Sequence, residues 1–498
     1  MSAREPVNVV HALPARREHY YGGAWHRSVS GAVIDVDDPA TGASLGTASN
    51  GNAADVDHAV AAAADAFAAW RDTPAQDRAR SIRAAAAILR AHRDDLAWVD
   101  ALDTGNPLQA MRYDVDISAA YMEHFAGLVT EIKGSTIPIA PGLLNYTLRE
   151  PLGVVARIGA FNHPLLFVAG KAGAPLAAGN TLVIKPADQT PLSALRIAEL
   201  WQDVFPPGVF NVVTGGREAG SALASHPRVA KIGFIGSVAA GRAVMQAASA
   251  TLKPLTLELG GKNALVACAD ATPHEIGEGV VRGMNFRYVT GQSCNSTSRV
   301  YLHDAIHDAA LREIVRNVAA IRVGLPTDPE TEMGCLSSKA QFDKTTRYIR
   351  IGKEEGARLV YGGGRPSNPG LAKGHFIEPT VFADVTDDMR IAREEIFGPV
   401  VGILRWSDER DVVARVNALD YGLTASIWTH DLDRAHRMAS NIQAGYIWIN
   451  NASTHHVGVP FGGYKQSGMG REESIDELIA CTQIKNVSVT LRGSDQNK

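Results

Sequence analysis

Cysteine is scarce in this chain of 498 residues: Cys268, Cys294, Cys335 and Cys481 stand far apart, with no CxxC pair among them. That excludes a disulfide framework and a zinc knuckle of the usual spacing. Charge of either sign is not in excess. A formal net charge of −4 argues against a nucleic-acid binder and gives no sign of a membrane-surface protein. Long apolar runs are also missing. The stretch 158–170 contains Asn162, His163 and Pro164 between Arg157 and Lys171, too short and too polar to span a bilayer. The start, Met1-Ser2-Ala3-Arg4-Glu5-Pro6, lacks the apolar core of a secretory leader, so a cytoplasmic protein is expected. What is present, 45% hydrophobic and 20% charged residues, describes a soluble globular chain long enough for roughly two to four domains.

The residue pattern changes along the chain. Residues 20–50 read as short strands and turns, with Ala32-Val33-Ile34-Asp35-Val36 one of them. Helical spacing of Val56, Val60, Ala63, Phe67 and Trp70 predicts a helix over 55–70. A second is expected over 75–103, stopped by Gly105-Asn106-Pro107, and a third over 111–131. From 153 to 250 strands and helices alternate: strands at 153–158, 181–184, 210–213 and 231–235, helices at 165–178, 193–204, 218–225 and 241–250. Strict alternation implies a parallel, doubly wound sheet that binds ligands at the carboxyl ends of its strands. A second α/β series follows from 264 to about 450, with strands at 300–302, 358–361 and 425–428, and residues 484–491 alternate like a terminal strand.

The strand ends carry the polar chemistry. Asn162 follows the first strand; it is either an oxyanion hydrogen-bond donor or a turn former. Lys185 and Asp188 follow the second, suited to ribose hydroxyls or equally to a solvated loop. Gly236-Ser237 opens a turn that can hold a phosphate on its free N–H groups, although Gly236 to Gly241 does not spell the G-x-G-x-x-G fingerprint. Glu258 ends an apolar strand, where burial makes it either a general base or a paired structural carboxylate. Cys294 sits in the polar run Gly291-Gln292-Ser293-Cys294-Asn295-Ser296, an unusual setting for a residue type that prefers the core.

Taken together, these blocks resemble the aldehyde dehydrogenase superfamily from about residue 20 to 490. The resemblance is carried by Leu257-Glu258-Leu259-Gly260-Gly261-Lys262 and Gly291-Gln292-Ser293-Cys294. Further blocks in family order are Glu150-Pro151-Leu152-Gly153-Val154, Lys185-Pro186-Ala187, Pro206-Pro207-Gly208-Val209, Glu394-Glu395-Ile396-Phe397-Gly398-Pro399, Tyr421-Gly422-Leu423 and Pro460-Phe461-Gly462-Gly463-Tyr464-Lys465. The resemblance implies an α/β fold of two doubly wound Rossmann-type domains plus a small β oligomerisation element. The expected boundaries are 1–129 and 150–258 for NAD binding, 259–465 for catalysis, and 130–149 with 475–498 for oligomerisation. It implies Cys294 as nucleophile, Asn162 as oxyanion donor, Glu258 as the base that activates hydrolytic water, and Lys171 and Glu472 as a proton relay. It implies a cofactor site of Phe161, Lys185, Asp188, Gly215, Gly236, Ser237, Glu395 and Phe397. The substrate is expected to be a small-molecule aldehyde and the assembly a homodimer or homotetramer; no metal is expected, and adjacent His455-His456 point to opposite faces of an extended segment.

Departures from the family sharpen these expectations. Asp188 stands where glutamate is usual; its carboxylate still disfavours a 2′-phosphate, so NAD is expected over NADP. Phe161 replaces a common tryptophan. Around the aldehyde, His163, Gly170 and His455 replace common aromatics, with Met284, Tyr288 and Phe461 as further expected pocket residues. The loss of rings counts against betaine aldehyde, because a quaternary ammonium needs an aromatic box. Gly170 is expected to widen the tunnel for a bulky or aromatic aldehyde. The alternatives are a betaine aldehyde dehydrogenase, a coenzyme A-acylating semialdehyde dehydrogenase (which generally lacks the Glu258 base), a cysteine hydrolase and a retired enzyme.

Overall fold

The computed structural model describes residues 13–491. Residues 1–12 of the expected cofactor region and 492–498 of the expected oligomerisation element lie outside the described residues.

The strands Val154–Ile158 and Thr181–Lys185 are buried along their whole length. Such runs of apolar and β-branched residues suit the middle of a parallel sheet covered on both faces. Across this sheet the order is Ala24–His26, His19–Tyr21, Phe210–Val212, Thr181–Lys185, Val154–Ile158, Val229–Ile235, Leu255–Glu258 and Gly468–Met469. The five strands from Phe210–Val212 to Leu255–Glu258 are parallel. The edges are antiparallel additions from distant parts of the chain. Chain order reverses between Val154–Ile158 and Val229–Ile235, and a doubly wound sheet opens its binding crevice at such a reversal.

The second sheet runs Arg358–Tyr361, Thr380–Ala383, Val400–Trp406, Arg299–His303, Ala264–Ala267, Thr424–Trp428 and Tyr446–Ile449. All its pairings are parallel except that of Arg358–Tyr361. Glu258 and Cys294 thus fall at the junction of the two sheets: Glu258 ends a strand of the first, and the Cys294 loop leads into Arg299–His303 of the second. A third, small sheet is formed by Thr482–Thr490 paired antiparallel with Leu143–Pro151, and by Thr136–Ile137 on the other side. Among the described residues, no helix is long and apolar enough to cross a membrane.

Two helices differ from the periodicity. The stretch 75–103 is two helices, Ala75–Ala91 and Arg93–Thr104, separated at His92, whose backbone leaves the helical region (φ −106°, ψ 23°). The second ends on Gly105 in the left-handed conformation (φ 82°), as a glycine stop requires. The stretch 165–178 holds a π-helical turn, Leu166–Gly170, followed by a short α-helix, Gly173–Ala177. Pro175 accounts for part of this. It has no N–H to bond back to the Lys171 carbonyl, so a regular helix cannot run through this turn. π-Turns recur at functional sites; this one delivers Leu166 and Phe167 to one side and Lys171 to the other.

Candidate active site

The Cys294 loop is fixed from several directions. It begins with two left-handed residues, Thr290 (φ 54°) and Gly291 (φ 71°). A Cβ on Gly291 would lie 2.6 Å from the Gly398 carbonyl oxygen, which explains glycine there. Asn263 Nδ2 donates to the carbonyls of Cys294 (2.7 Å) and Ser296 (3.1 Å). The Gln292 side-chain oxygen accepts from Ser337 N (3.1 Å) and Oγ (3.2 Å). Asn295 Oδ1 accepts from Asn285 Nδ2 (2.8 Å) and Ser293 Oγ (2.7 Å), and Asn295 Nδ2 lies 2.8 Å from His455 Nε2. Since that amide is a donor, His455 Nε2 accepts, and Nδ1 gives its hydrogen to Glu473 Oε2 at 3.0 Å.

Cys294 lines two cavities at once. On one side a space of about 120 Å³ is bounded by Asn162, Glu258, Glu395 and Phe397. It shares Ala160, Phe161, Ile235, Gly236 and Ser237 with a cleft of about 460 Å³ that also carries Lys185, Asp188 and Arg217. This cleft occupies the crevice at the reversal of strand order. On the other side a chamber of about 90 Å³ is bounded by Tyr113, Ile117, His163, Leu166, Tyr288, His455 and Phe461. It shares Tyr113, Asn285, Tyr288 and Ser453 with an outer vestibule of about 650 Å³. The thiol therefore stands where a dinucleotide-type cleft and a separate chamber meet.

Glu258 is buried, and among the described residues neither carboxyl oxygen has a hydrogen-bond partner. Burial first, and the negative charge of Glu472 second, push its pKa well above the usual carboxylate range. A carboxyl whose pKa is raised in this way is a stronger base when ionised than an ordinary carboxylate. Behind it lies a buried ionic cluster. Lys171 Nζ sits 2.9 Å from Glu472 and 3.5 Å from Glu473, while Arg157 pairs with Glu472 at 2.5 Å and also with Glu477. Burial opposes ionisation of Glu472, but Lys171 and Arg157 outweigh it and hold the carboxyl down to about 2. Cys294 is pushed the other way: burial, then Glu258 and Glu395, raise the pKa of the thiol and disfavour the thiolate.

The structure brings most of the expected residues together. Cys294, Glu258, Asn162, Phe161, Glu395, Phe397, Gly236 and Ser237 share one cavity, and Lys185 and Asp188 line the cleft beyond it. His163, Tyr288, His455 and Phe461 line the chamber. Lys171 and Glu472 stand behind Glu258, in the cluster just described. Gly215 is not on the cleft surface: its carbonyl accepts from Lys185 Nζ at 2.7 Å, and its neighbour Gly216 does the lining. Two further expectations need correction. Met284 is fully buried in the core beneath the second sheet, with Val280, Phe286 and Ile314, because it ends the helix Pro273–Gly283 on that helix's inward face. Gly170 does not widen the chamber either. A Cβ there would lie 2.9 Å from Leu166 Cδ1, and Leu166 itself forms the wall. Leu166 Cδ1 fills the space that a side chain at position 170 would enter.

Several residues escaped the sequence reading. Asp114, buried beneath the chamber, accepts from the Tyr288 hydroxyl and lies 2.8 Å from His163 Nδ1. Tyr113, Ile117 and Tyr121 face the chamber at four-residue spacing on the helix Leu108–Gly127, a stripe visible in the sequence once that helix is placed. Glu473 and Arg217 carry no local signal beyond their charge.

A parallel sheet with a dinucleotide-type crevice, and at its inner end a cavity lined by a buried carboxyl and a thiol, together define an α/β protein whose nucleotide-type cleft opens onto a cysteine. A sequence profile of the Aldehyde dehydrogenase family matches residues 25–487, and the chain belongs to that family. It is 47% identical over 490 residues to aldehyde dehydrogenase tropH of Talaromyces stipitatus, covering 97% of this chain and 95% of that protein. Among solved structures, a putative aldehyde dehydrogenase from Burkholderia cenocepacia superposes with a TM-score of 0.94 at 41% identity, over 96% of this chain and 98% of that one. PnpE from Pseudomonas sp. WBC-3, in complex with nicotinamide adenine dinucleotide, matches with the same TM-score of 0.94 and 41% identity over 96% and 98% of the two chains.

Proposed function

We propose that the protein oxidises an aldehyde to the free carboxylic acid with NAD, through a thioester on Cys294. The observation that carries the reading is Cys294 standing between two cavities, with Asn162 and Glu258 on the cleft side. In the proposed sequence the Cys294 thiol releases its proton to solvent water, its sulfur forms a bond to the aldehyde carbon, and the carbonyl oxygen becomes an oxyanion. The Asn162 amide and the Cys294 N–H donate to that oxygen. Bound NAD supplies the acceptor for the hydride that leaves as the C=O bond re-forms. Glu258 then takes a proton from water, the water oxygen adds to the thioester carbon, and the C–S bond breaks as Glu258 returns that proton to sulfur, releasing the acid and the Cys294 thiol. Lys171 and Glu472 hold the field behind Glu258. The presence of Glu258 favours hydrolysis over transfer to coenzyme A.

The cleft residues support NAD. Lys185, Asp188 and Gly216 line one end of it, and the negative charge of Asp188 would repel a 2′-phosphate. Arg217 on the same wall works in the opposite direction. Asp188→Ala is therefore expected to raise kcat/KM for NADP by about tenfold relative to NAD, measured as paired rates with the two cofactors. An unchanged ratio would remove Asp188 from cofactor choice.

The chamber admits the aldehyde end of a flat or aromatic compound, and its bulk is left to the vestibule. The assembly is proposed to be a homodimer or homotetramer through the small sheet. Among the described residues its strand Thr482–Thr490 has an unpaired edge, and Ile484 is 60% exposed with Leu143, Leu144 and Leu148 also exposed nearby. Ile484→Asp should shift the protein to a smaller species in light scattering; an unchanged mass would place the interface elsewhere.

The direct test is NADH formation across aromatic, terpenoid, long-chain, short-chain and betaine aldehydes, with and without coenzyme A. Turnover without coenzyme A supports the reading; turnover only with it would assign the acylating reaction, and a preference for betaine aldehyde would overturn the chamber argument.

A further inference from the structure

One polar side chain of the chamber is held in a way that the proposed oxidation does not use. His163 lines the chamber beside Cys294, with its Nδ1 2.8 Å from Asp114 Oδ2. Asp114 is fully buried and also accepts from the Tyr288 hydroxyl. Asp114 accepts from both, so His163 Nδ1 carries a hydrogen, and in the neutral imidazole the lone pair is on Nε2. The ring is fixed further by edge contacts with Tyr288 (4.9 Å between centroids) and Phe167 (5.8 Å). A buried carboxylate, a tyrosine hydroxyl and two aromatic rings thus orient one imidazole whose remaining polar atom is an acceptor. Among the described residues, no lysine or arginine lines the chamber. A carboxylate substituent would find no cation there, whereas a hydroxyl would find an acceptor.

We propose that His163, oriented by Asp114, is a specificity residue, and that the aldehyde bound in this chamber carries a hydroxyl group that donates to His163 Nε2. The inference rests on the aldehyde reading above. It sets the substrate class as hydroxylated aldehydes, with phenolic ones the best donors. An apolar aldehyde would leave Nε2 buried against it without a partner, and sites built around a hydrogen bond reject analogues that lack the group.

The test separates binding from turnover. In the Cys294→Ala protein, dissociation constants are measured by calorimetry for benzaldehyde, its 3-hydroxy and 4-hydroxy derivatives, and 4-carboxybenzaldehyde. One of the hydroxy derivatives is expected to bind about fivefold to tenfold more tightly than benzaldehyde. Adding His163→Phe should reduce that ratio to near one, and adding Asp114→Asn, which frees the ring to exchange tautomers, should reduce it in part. Thermal melts establish that each variant is folded. Equal affinities for all four aldehydes, a ratio that survives His163→Phe, or tightest binding of the carboxylated aldehyde would overturn the proposal. NADH formation by the wild-type protein is read alongside. A retained hydroxyl preference without turnover of any aldehyde would sink the dehydrogenase reading and leave this one standing.

Discussion

Glu258→Gln is expected to complete one turnover per active site at close to the normal rate and then to slow by about 10²–10⁴-fold, the usual contribution of a general base. Glutamine keeps the shape and cannot accept the proton of water. Formation of the thioester does not call on this carboxyl; its hydrolysis does. Rapid mixing with NAD and aldehyde should therefore show a burst of NADH equal to the active-site concentration, followed by a slow phase. The pH dependence follows from the raised pKa, which burial causes first and Glu472 second. Below that pKa Glu258 is protonated and cannot act as a base, so hydrolysis accelerates as pH rises through it and levels off above. Glu258→Gln should lose this limb. A variant that turns over slowly from the first cycle, without a burst, would place Glu258 in an earlier step.

Cys294→Ala has the larger expected effect, a loss of roughly 10⁴-fold or more in kcat, since no other group can form the covalent bond. Its surroundings make the result easy to interpret. The loop is held by Asn263, Gln292 and Asn295 through bonds that do not involve the sulfur, so removing one atom should leave the fold intact. Cys268, Cys335 and Cys481 are fully buried and offer no substitute thiol. Retained NAD affinity with lost oxidation would assign the defect to chemistry. Activity within tenfold of the wild type would rule out covalent catalysis at this position.

The alternation of strands and helices from residue 153 to 250 was legible because the central parallel strands are buried on both faces, while helices such as Arg217–Ser225 and Val238–Ser249 are buried along one face. Polar residues at strand ends then marked the crevice, and Asn162, Lys185, Gly236 and Glu258 all line it or the cavity behind it. The chamber was less legible because its walls depend on local backbone geometry. Leu166, at the start of the π-turn Leu166–Gly170, lines the chamber where Gly170 was expected. Met284 was misplaced for a similar reason: near a helix end, one residue separates the inward face from the cavity, and its neighbour Asn285 takes the lining position. Asp114 could not be found from sequence, since its role exists only where the helix Leu108–Gly127 passes beneath His163 and Tyr288.

The central claim is the thioester on Cys294 and its release by Glu258, and intact-protein mass spectrometry of Glu258→Gln after brief exposure to NAD and an aldehyde tests it most directly. The account predicts an added mass equal to the aldehyde less two hydrogen atoms, mapped by peptide digestion to Cys294 and removed by hydroxylamine. A burst of NADH with no adduct, or an adduct on another residue, would contradict it.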